Sequence, residues 1–552
     1  LSEATRPQQL PVPDHFHFQW GSPEDANELW FADLMHWPHG LSPLAATMDM
    51  PAFVRGMGKA SEALCMPFKP PRFQVIRDYV YMSMTPWSFD PAQMEQRMQD
   101  MQGKMLEHIP GLVNRWNTVY EPEVRVINDK TYTNDYKQMT DTELSAFIES
   151  LLELREREGE IHFLAVFPAG GGVAFFEETY TELFGEPKGG EHYQLLQGFP
   201  NKSTETAIQL AQLATEARKR PQVLELLRTT PLKAVHSKLD SAEGGEVFRG
   251  AVQEFLDNYG WRAAELDFAE PTWAEEPAPV YNLIKEYAAR DDYDPEEEQR
   301  SLASARQARE KLLEAKLSGE DLGKFKMSLM AAQQYLPIQE DHNFWIDQVG
   351  VCVQRLPVLE AARRLVAASK LDKTEDVFYL DYAQFQDAIC GGSGDFQALV
   401  DERKKEREAN LRLTPPEALG TPLPPEADNP LTAKFFGAPP EKNPDPRVIN
   451  GNGASAGTYT GTARVIMSLD DAERLNHGEV LVCPATMPPW TPLFAIASAV
   501  VTDHGGVLSH TAIVAREYQI PAVIGTKVAT SLIRDGSTIT VDGTEGTVRM
   551  EN

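Results

Sequence analysis

The chain has 552 residues, with 52 Lys and Arg against 82 Asp and Glu, a formal net charge of −30 and a pI near 4.8. Such a surface repels phosphate backbones and anionic headgroups, which excludes non-specific nucleic-acid and membrane-surface binding. The apolar share, 42%, is that of a globular chain of several domains.

Apolar runs are short and broken by Pro, Gly or charge, so no span of about 20 apolar residues and no membrane partner is expected. Cys65, Cys352, Cys390 and Cys483 lie far apart and form no C-x-x-C pair. Neither a disulfide framework nor a metal site is expected from them. The N-terminal LSEATRPQQLPVPD has no basic start and no apolar h-region. It begins with Leu1 rather than Met, so an initiating segment is expected to be missing, and the compartment is read as cytoplasmic.

In chain order, residues 1–50 are mixed and end in the turn-like HWPHGLSPL. From 92 to 410 the texture is helical. SLASARQAREKLLEAKL places Leu302, Ala305, Ala308, Leu312 and Ala315 on one stripe. TETAIQLAQLATEARKRPQVLELL predicts another helix, with Pro221 opening the next. PAGGG (168–172) and CGGSG (390–394) read as loops, and neither fits a Gly-x4-Gly-Lys phosphate loop. DERKKEREAN (401–410) reads as a solvated helix end.

Ten prolines then fall between Pro415 and Pro446, the composition of a stiff, extended linker. After it RVIMS, EVLVCPA, SAVVTD, PAVIG, STITVDG and TVRM predict strands, with DDAERLN and SHTAIVAREY as short helices. The expected layout is a mainly α-helical region at 1–412, a Pro-rich linker at 413–447 and an α/β domain at 448–552.

The segment VVTDHGGVLSHTAIVAREYQIPAVIG (500–525) carries the chemistry. Gly505 and Gly506 let the backbone approach a ligand. Ser509 stands where an N-cap belongs, before Ala512, Ile513, Val514 and Ala515. His510 falls in the first helical turn, where free N–H groups favour an anion. A neutral imidazole there is a nucleophile, and the arrangement suits a phosphoryl group bonded to His510.

GGVLSHTAIVAREYQIPAVIG resembles the phosphohistidine signature of the phosphoenolpyruvate-utilizing enzymes. The flanking GTARVI, GEVLVCPATMPPWTPL and DGSTITVDGTEGTV resemble the rest of that family's swivelling domain. The resemblance implies that His510 is the phosphorylated residue, with Gly505, Gly506, Ser509, Thr511 and Arg516 around it. Thr511 stands where Ala is common. Arg516 is either a phosphate partner or the residue that ties the helix to its domain. His504 reads as shaping the loop, and His477 as a surface turn.

YGWRAAELDFAEPTWAEEP, PIQEDHNFWID, EDVFYL and WPHGLSPL resemble segments of pyruvate, water dikinases and rifampin phosphotransferases, with Trp261 and Gln339 in place of a usual His and Arg. No segment resembles an ATP-grasp domain or a phosphoenolpyruvate-binding barrel. That layout resembles the large subunit of phenylphosphate synthase-type kinases of aromatic catabolism. It implies a separate ATP-grasp subunit binding ATP and Mg2+, and phosphoryl transfer through His510 to a phenolic hydroxyl.

The implied acceptor site draws on His36, His39, Glu340 and His342 as candidate bases and on Arg262 as a clamp beside Glu265 and Asp267. The alternatives stay open: His36 and His39 as loop residues, Glu340–His342 as a helix cap, and Arg262, Glu265 and Asp267 as an ion network. Trp37, Trp261, Phe344 and Trp345 read as pocket lining or as core. A phosphocarrier without a small-molecule acceptor, or an antibiotic phosphotransferase, is the other reading.

Overall fold

Two units partition the chain: Leu1–Pro168 with Glu265–Glu270 and Trp345–Asn429, and Ala169–Ala264 with Pro271–Phe344 and Pro430–Asn552. The computed structural model describes residues 8–187, 190–290, 294–423, 440 and 442–551.

The first unit holds a small antiparallel sheet among helices. Its strands are β1 (Leu29–Ala32), β2 (Arg72–Ile76), β3 (Tyr79–Ser83) and β4 (Ala418–Gly420), in the order β2-β3-β1-β4. Arg77 and Asp78, both at positive φ, make the tight turn between β2 and β3. β4 comes from the Pro-rich stretch. It seats the fully buried Leu419 opposite Trp30, and its flanking prolines are tolerated because it is an edge strand. The stretch expected as a linker therefore begins as a strand; its residues 424–439 and 441 lie outside the described residues.

A helix of 44 residues, Asp141–Phe184, contains PAGGG, which is not a loop. The glycines there allow backbones to touch. A Cβ on Gly172 would lie 2.7 Å from the Ala331 carbonyl oxygen. In the first unit the same helix crosses Asp49–Ala63, where a Cβ on Gly56 would lie 2.1 Å from the Glu156 carbonyl oxygen. Among the described residues it is also the one helix long and apolar enough to cross a membrane, with half of its apolar window buried inside the protein. Small residues within it extend an apolar run that the sequence shows as broken. Charges of the helix Phe396–Asn410 pin neighbouring chain instead of facing solvent alone: Arg403 donates to the Tyr379 carbonyl and Lys404 pairs with Asp376.

The second unit joins helices to an eight-stranded mixed sheet. Helices Lys202–Arg218 and Pro221–Thr229 stand where the sequence predicts them. The helix Pro295–Glu314 also forms, but its face is rotated: Leu302, Arg306 and Leu313 are buried, whereas Leu312 is 61% exposed. Arg306 takes an inward position because it donates to the Gln197 carbonyl and stacks on Phe199.

The sheet comprises β5 (Val448–Asn450), β6 (Asn452–Ser455), β7 (Thr458–Val465), β8 (Val480–Cys483), β9 (Ala499–Thr502), β10 (Ala522–Ile524), β11 (Thr538–Asp542) and β12 (Thr547–Met550), ordered β5-β12-β11-β7-β8-β9-β10-β6. The central β7-β8-β9-β10 run parallel. β8, β9 and β10 are buried throughout, as expected of parallel strands covered on both faces.

Gly56→Val forces a side chain into the backbone of the facing helix. The expected cost is about 1–3 kcal/mol, read as a lower denaturant midpoint; an unchanged midpoint contradicts this helix crossing.

Candidate functional site

The site lies beyond the carboxyl ends of the parallel strands, where open α/β sheets bind ligands. β9 ends at Thr502, a loop follows, and the helix His510–Glu517 begins with Ser509 at its N-cap. Asp503 anchors the loop by accepting from the Thr530 N–H at 3.1 Å and from the Thr526 hydroxyl at 3.3 Å. Gly505 has φ +112°, and a Cβ there would lie 2.9 Å from the Ser509 hydroxyl, so the turn requires glycine. The Gly506 carbonyl accepts from the Ser509 N–H at 2.8 Å. The Ser509 hydroxyl is buried without a hydrogen-bond partner.

His510 is 7% exposed. Its Nδ1 lies 3.4 Å from Glu340 Oε1 and its Nε2 3.2 Å from Thr491 Oγ1. Glu340 comes from the helix Tyr335–His342, and the Ser203 hydroxyl donates to its other oxygen at 2.5 Å. Asp341 beside it accepts from the Lys202 N–H at 2.8 Å, which fixes this pair at the start of the helix Lys202–Arg218.

Burial alone would raise the Glu340 carboxyl, but His510, the Ser203 hydroxyl and His342 outweigh it and hold it below its ordinary value. An ionised carboxylate only accepts. Nδ1 therefore carries a proton toward Glu340, and when the ring is neutral the lone pair of Nε2 faces the Thr491 hydroxyl. In that tautomer Nε2 holds the free lone pair.

The other residues of the motif support the loop. The Thr511 and Thr486 hydroxyls lie 2.8 Å apart. Arg516 donates to the Ala454 and Val507 carbonyls, each at 2.7 Å, and stacks on Tyr193. Its guanidinium thus binds β6 and the loop to the helix. The His504 N–H donates to the Pro484 carbonyl at 2.9 Å, and His477 is exposed.

The residues expected at an acceptor site divide. Arg262, Glu340 and His342 belong to the second unit. The buried Arg262 reaches the Thr206 hydroxyl at 3.3 Å and lies over Trp273 and Phe344. His342 is buried, with Nδ1 donating to the Ile338 carbonyl at 2.7 Å. His36, His39, Glu265 and Asp267 belong to the first unit.

Asp267 accepts from the Ser42 N–H at 2.6 Å and the Ser42 hydroxyl at 2.8 Å. It thus braces the cap of the helix Pro43–Thr47. The Trp37 indole N–H donates to the Leu266 carbonyl at 2.9 Å, which places Trp37 in the framework of that loop. His39 Nδ1 lies 2.5 Å from Glu265 Oε1, and His36 Nδ1 lies 2.8 Å from Asp33 Oδ2. These are two carboxylate–imidazole pairs three residues apart. Both imidazoles are more than a third exposed.

Two residues of the His510 environment, Thr491 and Ser203, carry no signal in the sequence: a Thr among prolines and a Ser in a helix start are common. Neither Gly-rich segment offers a nucleotide's phosphates a cradle. Gly170–Gly172 are helical. The 391–394 turn leads to Asp395, whose carboxylate takes the N-terminus of the next helix by accepting from the Ala398 N–H, the place a phosphate would occupy.

Comparison with known proteins agrees with this geometry. The PEP-utilising enzyme mobile domain matches residues 475–546, and the rifampicin phosphotransferase fourth domain matches residues 162–340. Chondramide synthase cmdD of Chondromyces crocatus is 33% identical over 98% of this chain and 14% of its own length. The uncharacterized phosphotransferase YvkC of Bacillus subtilis is 29% identical over 95% of this chain and 62% of its own. A rifampicin phosphotransferase of Streptomyces sviceus is 30% identical over 75% and 48%. The chain thus spans less than two thirds of the length of these relatives. The likeness to the PEP-utilising enzymes rests on the mobile domain, residues 475–546.

The first-unit pairs make a pH prediction. The hydrogen bond to Glu265 raises His39 above its ordinary value; burial alone would lower His36, but Asp33 outweighs it. In a histidine-resolved NMR titration both rings deprotonate above about 6.5, and Glu265→Gln brings His39 back down. A His39 midpoint unmoved by that substitution contradicts the pairing.

Proposed function

We propose that this chain is the phosphohistidine-carrying and acceptor-binding part of an ATP-dependent phosphotransferase, and that it passes the phosphoryl group to the hydroxyl of a phenolic compound. The observation that carries the reading is the buried imidazole of His510, held between Glu340 and Thr491 on a mobile domain of the PEP-utilising type. ATP and Mg2+ would be bound by a separate ATP-grasp subunit and would supply the activated phosphoryl group.

This chain's own residues do the rest. The His510 Nε2 lone pair attacks a phosphorus of ATP and forms the P–N bond as the P–O bond to the leaving phosphate breaks and its electron pair stays on that oxygen, while Nδ1–H faces Glu340, whose negative charge offsets the positive charge that develops on the ring. The phosphoryl group then lies beside the loop whose buried Ser509 hydroxyl lacks a hydrogen-bond partner. In the second transfer the acceptor oxygen attacks phosphorus, the P–N bond breaks and its electron pair returns to Nε2. The acceptor's proton goes to a base. His39 and His36 suit that role, each with Nδ1 held by a carboxylate so that Nε2 is the basic nitrogen. Dividing one transfer into two lets a single nucleophile serve two sites.

A second reading has its own support: several relatives are named rifampicin phosphotransferases. On that reading the acceptor hydroxyl belongs to an antibiotic, and the chemistry at His510 is unchanged.

The test is intact mass after incubation with Mg–ATP, with and without an ATP-grasp partner. One acid-labile phosphoryl group is expected, absent in His510→Ala. Glu340→Gln, which removes the charge that orients the ring, should slow phosphorylation by about 100-fold. Discharge by a simple phenol supports the first acceptor class, and discharge by rifampicin alone supports the second. Stable phosphohistidine in the presence of both makes the chain a carrier without a small-molecule acceptor. No phosphorylation under any of these conditions overturns the reading.

A further inference from the structure

The helix that begins with His510 ends, seven residues later on the same face, at Glu517. There the mobile domain meets the helical part of its own unit. The Gly198 N–H lies 3.2 Å from each oxygen of Glu517, and Gln197 Nε2 donates to the Arg516 carbonyl at 2.6 Å. Above them the Tyr335 hydroxyl donates to the Leu508 carbonyl at 2.7 Å. Gly198 has φ +70°, and a Cβ on it would lie 2.5 Å from the Ala303 nitrogen. The backbone amide that meets Glu517 is therefore held fast against the helix Pro295–Glu314. In this same arrangement His510 faces Glu340.

The charges around Glu517 do not balance it. Arg306, from the helix Pro295–Glu314, donates to the Gln197 carbonyl and faces Glu310 at 3.4 Å. Arg516, on its own helix, is held by the Ala454 and Val507 carbonyls. Glu340, from the helix Tyr335–His342, adds a like charge. Among the described residues neither guanidinium forms an ion pair with Glu517. Burial pushes its carboxyl up to about 8, with Glu340 in support and the Gly198 N–H, Arg306 and Arg516 opposing.

We propose that Glu517 is a proton-operated latch of the mobile domain: neutral, it seats against Gly198 and keeps His510 on Glu340; ionised, it frees the domain to carry His510 away. The latch rests on the reading of His510 as a travelling carrier, but it is a property of docking and is testable without any phosphoryl transfer. A free glutamate loses its proton near 4.5, whereas the docked one keeps it to about 8. Between these values docking takes up a proton. Docking therefore weakens as pH rises, by up to about tenfold per unit, and levels off above the docked value.

Hydrogen–deuterium exchange of the full chain reads this directly, after correction for the intrinsic pH dependence of exchange. Peptides covering 191–199 and 508–518 are expected to lose at least about tenfold in protection between about pH 6.5 and 8.5, while peptides of β8 and β9 keep theirs. In Glu517→Gln, which cannot ionise, the docking peptides should stay protected throughout. In Gly198→Ala they should be unprotected at both ends of the range. A flat wild-type profile, or a pH dependence that persists in Glu517→Gln, overturns the latch. If Glu517→Gln does not fold, the wild-type profile alone decides. Phosphorylation of His510 by Mg–ATP, measured separately, stands or falls independently of this result.

Discussion

An imidazole buried to 7% exposure has a defined chemistry only if both ring nitrogens have partners, and the contacts of His510 with Glu340 and Thr491 supply them. The contact with Glu340 joins residues 170 positions apart. It gives Nδ1 an acceptor-only partner and leaves Nε2 to Thr491. Glu340 in turn depends on Ser203, and its neighbour Asp341 on the Lys202 amide. The start of one helix thus determines the proton position on another. Without Glu340 the ring would be a buried polar group with one nitrogen unsatisfied, which costs about 1–3 kcal/mol and leaves its tautomer undefined.

The sheet explains why His510 stands where it does. The parallel strands β8 and β9 end side by side, and the segments that leave them bring Thr491 and His510 together. Asp503, Gly505 and the Arg516 guanidinium then shape the loop between strand and helix without touching the ring. The division of work is physical: hydrogen bonds inside the C-terminal domain set the loop, while a residue from the helical part sets the tautomer.

The C-terminal domain was legible because its chemistry is local. The Gly-Gly turn, the Ser cap and the Ala-rich helix of residues 505–515 lie within one stretch of chain, and alternating apolar runs mark most strands. What lay hidden depends on distance. Nothing in PIQEDHNFWID says that Glu340 faces His510, and PPWTPL does not single out Thr491. The stripe on Pro295–Glu314 misleads because Arg306 is drawn inward by a carbonyl and a ring, which hydrophobic periodicity cannot register. Proline content points to a linker even where Leu419 completes a sheet. PAGGG reads as a loop, since composition does not reveal that Gly172 lies against the backbone of another helix.

The central claim is that Glu340 holds His510 in the tautomer whose Nε2 takes the phosphoryl group. The most direct measurement is a proton–nitrogen correlation spectrum of the phosphorylated, histidine-labelled chain, which distinguishes the two phosphoramidate isomers. The account predicts a single phosphohistidine, at position 510, bonded through Nε2. Phosphoryl on Nδ1, or on a different histidine, would contradict it.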